Sequence, residues 1–176
     1  MYNENKGKEL NNLCNNLQNA LDIHQKVRKE NVGDILSSLS DYINKLYNII
    51  HPEENIGDVN LYFNEKKRAS LEIGAKFGSH DNIPPHAYYS ESHIDTLGIC
   101  IFLSLAKYNK ADVVILDDVL TSIDNQHLTR FIDMLGSLNH YVKQLIVTTH
   151  YRSWINRYKT GRGPLSNTQI VELGYW

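Results

Sequence analysis

Cysteine is scarce in this chain: Cys14 and Cys100 are the only two in 176 residues. Two isolated thiols cannot build the cross-linked framework of a small secreted domain, and no Cys-x-x-Cys pair offers a metal or redox site. They read as reduced thiols on helices. Proline occurs four times, so each one carries information: Pro52 must end a helix, and Pro84-Pro85 stops whatever precedes it. No apolar run approaches the roughly 20 residues a membrane helix needs. The polar start Met1-Tyr2-Asn3-Glu4-Asn5-Lys6 has no signal-peptide core, and the expected compartment is cytoplasmic. A surplus of one charge is also missing, since 18 Lys and Arg against 20 Asp and Glu leave −2. Bulk attraction to nucleic acid is thereby excluded, and only local contact is left open. Finally, no G-x-x-x-x-G-K-[ST] occurs: Gly7-Lys8 runs into Glu9 and has no earlier glycine. The chain therefore lacks a backbone cradle for phosphates of that kind, and tight ATP binding by this chain alone is not expected.

The composition that remains, 41% hydrophobic and 22% charged, is that of a folded domain with a real core. Residues 8–50 read as helix. Leu10, Leu13, Leu17, Ala20, His24 and Val27 form a narrow seam at 3-4 spacing among Asn, Gln, Lys and Glu, which suits one strand of a coiled coil. Gly33-Asp34 reads as a break. Ile35, Leu39, Tyr42, Ile43, Leu46 and Ile49 then give a second helix a broader apolar face. Residues 58–78 alternate as two strands around a charged hairpin, Glu65-Lys66-Lys67-Arg68. Residues 78–85 read as loop, 94–107 as helix, 113–116 as a short all-apolar strand of a buried parallel sheet, and 125–138 as helix. Residues 145–148 and 168–173 read as two further strands. Strands alternating with helices predict an α/β fold with right-handed crossovers. The expected division is a helical, coiled-coil-like arm over 1–50 and a lobe over 51–176.

The chemistry gathers around Val113-Val114-Ile115-Leu116-Asp117-Asp118-Val119-Leu120-Thr121-Ser122-Ile123-Asp124. An apolar strand ending in paired carboxylates delivers both acids to the edge of an α/β sheet where ligands bind. Asp117 is placed to hold Mg²⁺ and Asp118 to orient an attacking water. Upstream, Ser90-Glu91-Ser92-His93 opens a helix after a proline-rich loop, where free amides and the helix dipole favour an anion; Ser90 or Ser92 would equally serve as an ordinary N-cap. Downstream, Thr148-Thr149-His150 ends the next strand and puts an imidazole within reach of a phosphate if the two strands are neighbours. His80, His86 and His93 show no metal-ligand spacing and are read as no metal site. The stretch 151–162 mixes Arg152, Arg157 and Lys159 with Trp154 and Tyr158. That mixture fits a local nucleic-acid contact, but it reads more readily as a solvated helix with aromatic anchors.

Taken in order, these elements resemble the C-terminal lobe of an ABC-type ATPase head of the SMC/RecF/RecN class, within the P-loop NTPases. Tyr89-Ser90-Glu91-Ser92-His93 looks like the signature motif, and Leu116-Asp117-Asp118 like Walker B. Ser122-Ile123-Asp124 looks like the D-loop and His150 like the switch histidine, while the run from Leu116 to Asp124 is closest to the RecF-like pattern. The resemblance covers roughly residues 35–173, and the N-terminal helix matches a returning coiled-coil arm. It implies ATP and Mg²⁺ as cofactors, with Asp117 on the metal and Asp118 and His150 catalytic. Ser90, Ser92 and Asp124 would meet nucleotide across a head-to-head dimer. It implies a partner lobe bearing the P-loop, from the same gene or a separate chain, and coupling to DNA in repair, chromosome maintenance or defence, with a nuclease among the possible partners. Glu91 and Ser92 stand where the signature carries glycines, and Asp118 where many relatives carry Glu. Two rival readings stand beside it. One is a catalytically inactive DNA- or protein-binding module derived from such a head. The other is an unrelated α/β enzyme using Asp117 and Asp118 for metal-dependent hydrolysis.

Overall fold

The fold is known from a computed structural model that describes residues 2–52, 54, 56–64, 70–119, 123–162 and 168–174. Helix α1 spans Tyr2–Ile50 without interruption, a rod of about 70 Å at 1.5 Å per residue. The break expected at Gly33-Asp34 does not occur. A single helical glycine costs only about 1 kcal/mol, and the next four turns recover more by burial. Leu36, Leu39, Ile43, Leu46, Tyr47 and Ile50 are all buried, at the 3-4 spacing that keeps one stripe against a core. Before that point the helix stands clear of the rest of the described chain, with Leu10, Leu13, Leu17 and Val27 about half exposed.

Against the buried half of α1 lies an antiparallel sheet of β1 (Ile56–Asn64), β2 (Ser70–Phe77) and β3 (His80–Ile83) in the order β1-β2-β3. Val59 and Leu61 turn inward from β1. Two helix side chains complete the strand's free edge. Asn44 donates to the Val59 carbonyl at 2.9 Å and accepts the Val59 amide at 2.7 Å, and the Ser40 hydroxyl accepts the Leu61 amide at 2.9 Å. Buried backbone groups need such partners, and here α1 supplies them instead of another strand. The charged hairpin read at 65–68 lies outside the described residues. The loop expected over 78–85 is replaced in part by β3. Its sequence, His80-Asp81-Asn82-Ile83, has no apolar alternation, yet it pairs with β2 through Ala75↔Ile83 and Phe77↔His80. Gly78 makes the tight turn possible by taking φ +59°, which only glycine adopts freely.

Helix α2 (Glu91–Tyr108) begins three residues before the expected start, capped by Ser90. Strands β4 (Val113–Asp117) and β5 (Gln144–Thr148) pair in parallel. Between them run α3 (Leu128–Ser137) and a short 3₁₀ turn, Leu138–His140, and α4 (Arg152–Arg162) follows β5. The parallel pair departs from expectation in one respect: it is covered on one face only. Val114 and Leu116 join the core with Leu97, Leu103, Leu128 and Phe131, while Val113, Ile115 and Ile146 face solvent. The expected strand over 168–173 does not form. Residues 168–174 carry no regular structure, and Ile170, Val171 and Leu173 are exposed. Apolar alternation makes a strand only where a neighbour accepts its hydrogen bonds. Among the described residues, no helix is long and apolar enough to cross a membrane.

Candidate functional site

The parallel register sets Asp117 opposite Thr148, and the Thr148 hydroxyl donates to the Asp117 carboxylate in a short hydrogen bond. One residue on, the Asp118 amide donates to the Thr148 carbonyl at 3.1 Å. The chain then turns sharply, with Asp118 at φ +52°. A non-glycine residue in this left-handed region is uncommon and costs of order 1–3 kcal/mol, though Asp tolerates it better than most. The turn aims the carboxylate at the end of β5. There His150 Nδ1 stands 2.9 Å from Asp118 Oδ1, with the imidazole exposed and the carboxylate half-buried. A carboxylate, a second carboxylate, a hydroxyl and an imidazole thus converge at the carboxyl ends of two parallel strands, where open α/β sheets bind ligands.

The segment before α2 is built differently. Ser90 lies in extended conformation and caps the helix, its hydroxyl accepting the His93 amide at 3.4 Å and standing 2.5 Å from His93 Nδ1. Ser90 is exposed, whereas Ser92 is buried. The Ser92 hydroxyl accepts the Asp124 amide at 3.3 Å, so it holds the start of α2 to the stretch before α3 from inside the protein. Asp124 itself is exposed. Ser122 lies outside the described residues.

Behind the helix cap sits a cluster that sequence spacing did not reveal. His51, at the end of α1, is fully buried and places Nδ1 2.9 Å from Glu54 Oε1. His93 Nε2 makes a short contact to Glu54 Oε2, and His127 Nε2 lies 3.4 Å from Glu54 Oε1. The His51 ring stacks on His93 with centroids 4.6 Å apart and tilts on His127 at 4.3 Å. Burial pushes the His51 imidazole below its ordinary range, and hydrogen bonding to Glu54 partly offsets this. Burial alone would raise the Glu54 carboxyl, but hydrogen bonds to His51 and His93 outweigh it and hold the group below the usual carboxylate range. The members are 39 residues apart from Glu54 to His93, with no common period. The one local hint is the run His51-Pro52-Glu53-Glu54, where a helix ends on two polar groups. His80 and His86, considered with His93 in the sequence, are exposed.

In the basic, aromatic stretch of α4 the aromatic side chains pack while Arg152 and Lys159 stay exposed. Trp154 is buried and stacks on Tyr158 at 5.2 Å. Arg157 Nη1 donates to the Asn125 carbonyl at 2.8 Å, and the Tyr151 hydroxyl reaches Asn125 Oδ1 at 3.3 Å.

No family model matches the chain, and no curated protein does. Solved structures do. An SMC ATPase described for ATP-driven dimerisation and DNA-stimulated activation aligns over 72% of this chain and 76% of its own, with 17% identity and a TM-score of 0.58. The Smc head domain of Pyrococcus yayanosii, with coiled coil and joint, aligns over 79% of this chain with 16% identity and a TM-score of 0.59. That of Pyrococcus furiosus, bound to the C-terminal domain of ScpA, aligns over 74% with 14% identity and a TM-score of 0.57. The chain has the fold of part of an SMC head. It spans 27% and 32% of the two Pyrococcus chains. The long α1 and the mixed α/β lobe agree with the fold expected from the motifs. At these identities the likeness establishes the fold of an SMC head fragment and leaves its chemistry to the residues themselves.

Proposed function

We propose that this chain is the C-terminal part of an SMC-like ATPase head, working in a composite site completed by a lobe that brings the P-loop. The observation that carries the reading is the pairing of β4 with β5. It sets Asp117 beside Thr148 and closes His150 on Asp118 at the ligand-binding edge of the sheet. In this reading Asp117 holds Mg²⁺, with the Thr148 hydroxyl fixing its carboxylate. Asp118 orients the attacking water, and His150 steadies Asp118 and contacts the γ-phosphate. When bound, ATP and Mg²⁺ supply the transferable phosphoryl group and the charge that polarises it. Ser90 and the free amides at the start of α2 meet nucleotide held by a second head, Ser92 acts from inside by holding Asp124, and Asp124 faces the partner. The half-exposed leucines of α1 belong to the coiled-coil arm. The exposed apolar face of Val113, Ile115 and Ile146 is where the P-loop lobe packs. ATP-driven closure of two heads, coupled to DNA, is the output that the SMC fold supports best.

The test is ATP turnover and head dimerisation of the protein together with its P-loop-bearing lobe, whether on one polypeptide or two. Turnover is expected to depend on Mg²⁺ and to rise steeply with head concentration. Ser90→Arg is expected to abolish ATP-dependent dimerisation while leaving nucleotide binding to each head intact. Unchanged dimerisation of that variant would refute the trans role of Ser90.

A further inference from the structure

Three imidazoles and one carboxylate meet in the interior at a place the nucleotide site does not use. His51, Glu54 and His93 each present a ligand atom, all within 4.8 Å of one another, while His127 Nε2 lies 3.4 Å from Glu54 on the rim of the group and outside that mutual spacing. A tetrahedral ion with bonds near 2.0–2.2 Å separates its ligand atoms by about 3.3–3.6 Å, so the short His93–Glu54 contact opens and the 2.9 Å His51–Glu54 contact widens to hold one. His127 Nδ1 lies 3.2 Å from the Ile50 carbonyl, which can only accept, so Nδ1 carries the hydrogen, and Nε2 faces the Gln126 amide at 3.0 Å. The contact of His93 Nδ1 with Ser90 Oγ at 2.5 Å is the kind of outer hydrogen bond that orients a metal-bound histidine.

We propose that His51, Glu54 and His93 form a binding site for one divalent transition-metal ion, best matched to Zn²⁺. Two nitrogens and one carboxylate oxygen suit a borderline ion in tetrahedral geometry and do not suit Mg²⁺ or Ca²⁺, which take oxygen shells. The fourth position is left to a water. The ion ties the end of α1 to the cap of α2, so the buried end of the helical arm and Ser90 move as one body. The ligands do not include Asp117, Asp118 or His150, and Ser90, which contacts His93, is a residue shared with the ATPase reading.

The experiment is a titration of the untagged full chain, stripped with chelator, with Zn²⁺ by calorimetry. Metal content after gel filtration and the visible spectrum of the Co²⁺ form are measured alongside. One Zn²⁺ per chain is expected, with the strong visible absorption of four-coordinate Co²⁺. Glu54→Gln, which keeps the shape of the side chain, is expected to weaken binding at least tenfold and dim the Co²⁺ band. His51→Ala should do the same with a larger loss. His80→Asn together with His86→Asn, both outside the cluster, should leave binding unchanged. Circular dichroism shows whether each variant is folded; if His51→Ala is not, Glu54→Gln decides. The proposal is overturned if the natural chain takes up no stoichiometric Zn²⁺, or if folded Glu54→Gln binds as tightly as the natural chain. In either case the cluster is a hydrogen-bonded network without a metal.

Discussion

His150 Nδ1 meets Asp118 Oδ1 at 2.9 Å across the ends of two parallel strands that are 27 residues apart in the chain, from Asp117 to Gln144. Asp118 reaches this position only by adopting φ +52°. Asn tolerates that backbone about as well as Asp, so Asp118→Asn removes charge without forcing the turn to refold. In the head completed by its P-loop lobe, this change is expected to lower kcat by about 10²–10⁴-fold, the range of a positioned acid–base group, while ATP binding persists. Single-turnover kinetics with a separate nucleotide-binding assay distinguishes the two effects. Loss of binding in step with turnover would place Asp118 on the nucleotide or metal and not on the water.

Adjacent residues of β4 should behave in opposite ways. Ile115 is 57% exposed and Leu116 2% exposed. Leu116→Ala empties a core position and is expected to cost about 2–5 kcal/mol in urea unfolding of the chain. Ile115→Lys touches only the uncovered face, and its effect on the isolated chain should stay within about 0.5 kcal/mol. The same Lys should reduce self-association of the isolated chain and prevent docking of the P-loop lobe, both readable by sedimentation velocity. A large stability loss from Ile115→Lys would show that this face is already covered.

The two thiols should differ sharply in reactivity. Cys14 is exposed on α1, whereas Cys100 is fully buried in α2 and burial pushes its thiol up to about 12. The thiolate is the reactive form, so a mild alkylating reagent near neutral pH is expected to label one site per folded chain, at Cys14. Intact-mass spectrometry counts the adducts. The shift also has a sign for stability. The folded thiol ionises above the ordinary value of 9.0, so its contribution is fully present below that pH. It is lost as pH rises from about 9 toward 12. Cys100→Ala should flatten that alkaline limb.

Gly33 offers the plainest test of the continuous α1. It is exposed in mid-helix, and a Cβ added there meets nothing within 4 Å. Gly33→Ala is expected to stabilise the chain by about 0.5–1 kcal/mol through helix propensity alone, with more helical circular dichroism. A destabilising Gly33→Ala would mean that the helix bends or breaks at Gly33-Asp34 after all.

What the sequence determined on its own is what short-range physics encodes. The 3-4 stripe from Leu36 to Ile50 makes a helix wherever it has a core to face. The apolar run from Val113 ends in acids because a buried strand must surface, and Ser90 caps α2 because its side chain can satisfy an orphan amide. The paired strands around 58–78 were legible from alternation, and the ordered motifs were enough to indicate an SMC-like head. Other features depended on contacts between distant residues. Gly33-Asp34 stayed helical because burial further along outweighed a local penalty. His80-Asp81-Asn82-Ile83 became a strand because β2 offered an edge, and residues 168–173 pair with no strand among the described residues. The bond from the Asp124 amide to Ser92, the one uncovered face of β4 and β5, and the meeting of His51, Glu54, His93 and His127 have no sequence period at all. They arise when separate elements pack, and only tertiary structure decides which side chains then share a few ångströms of space.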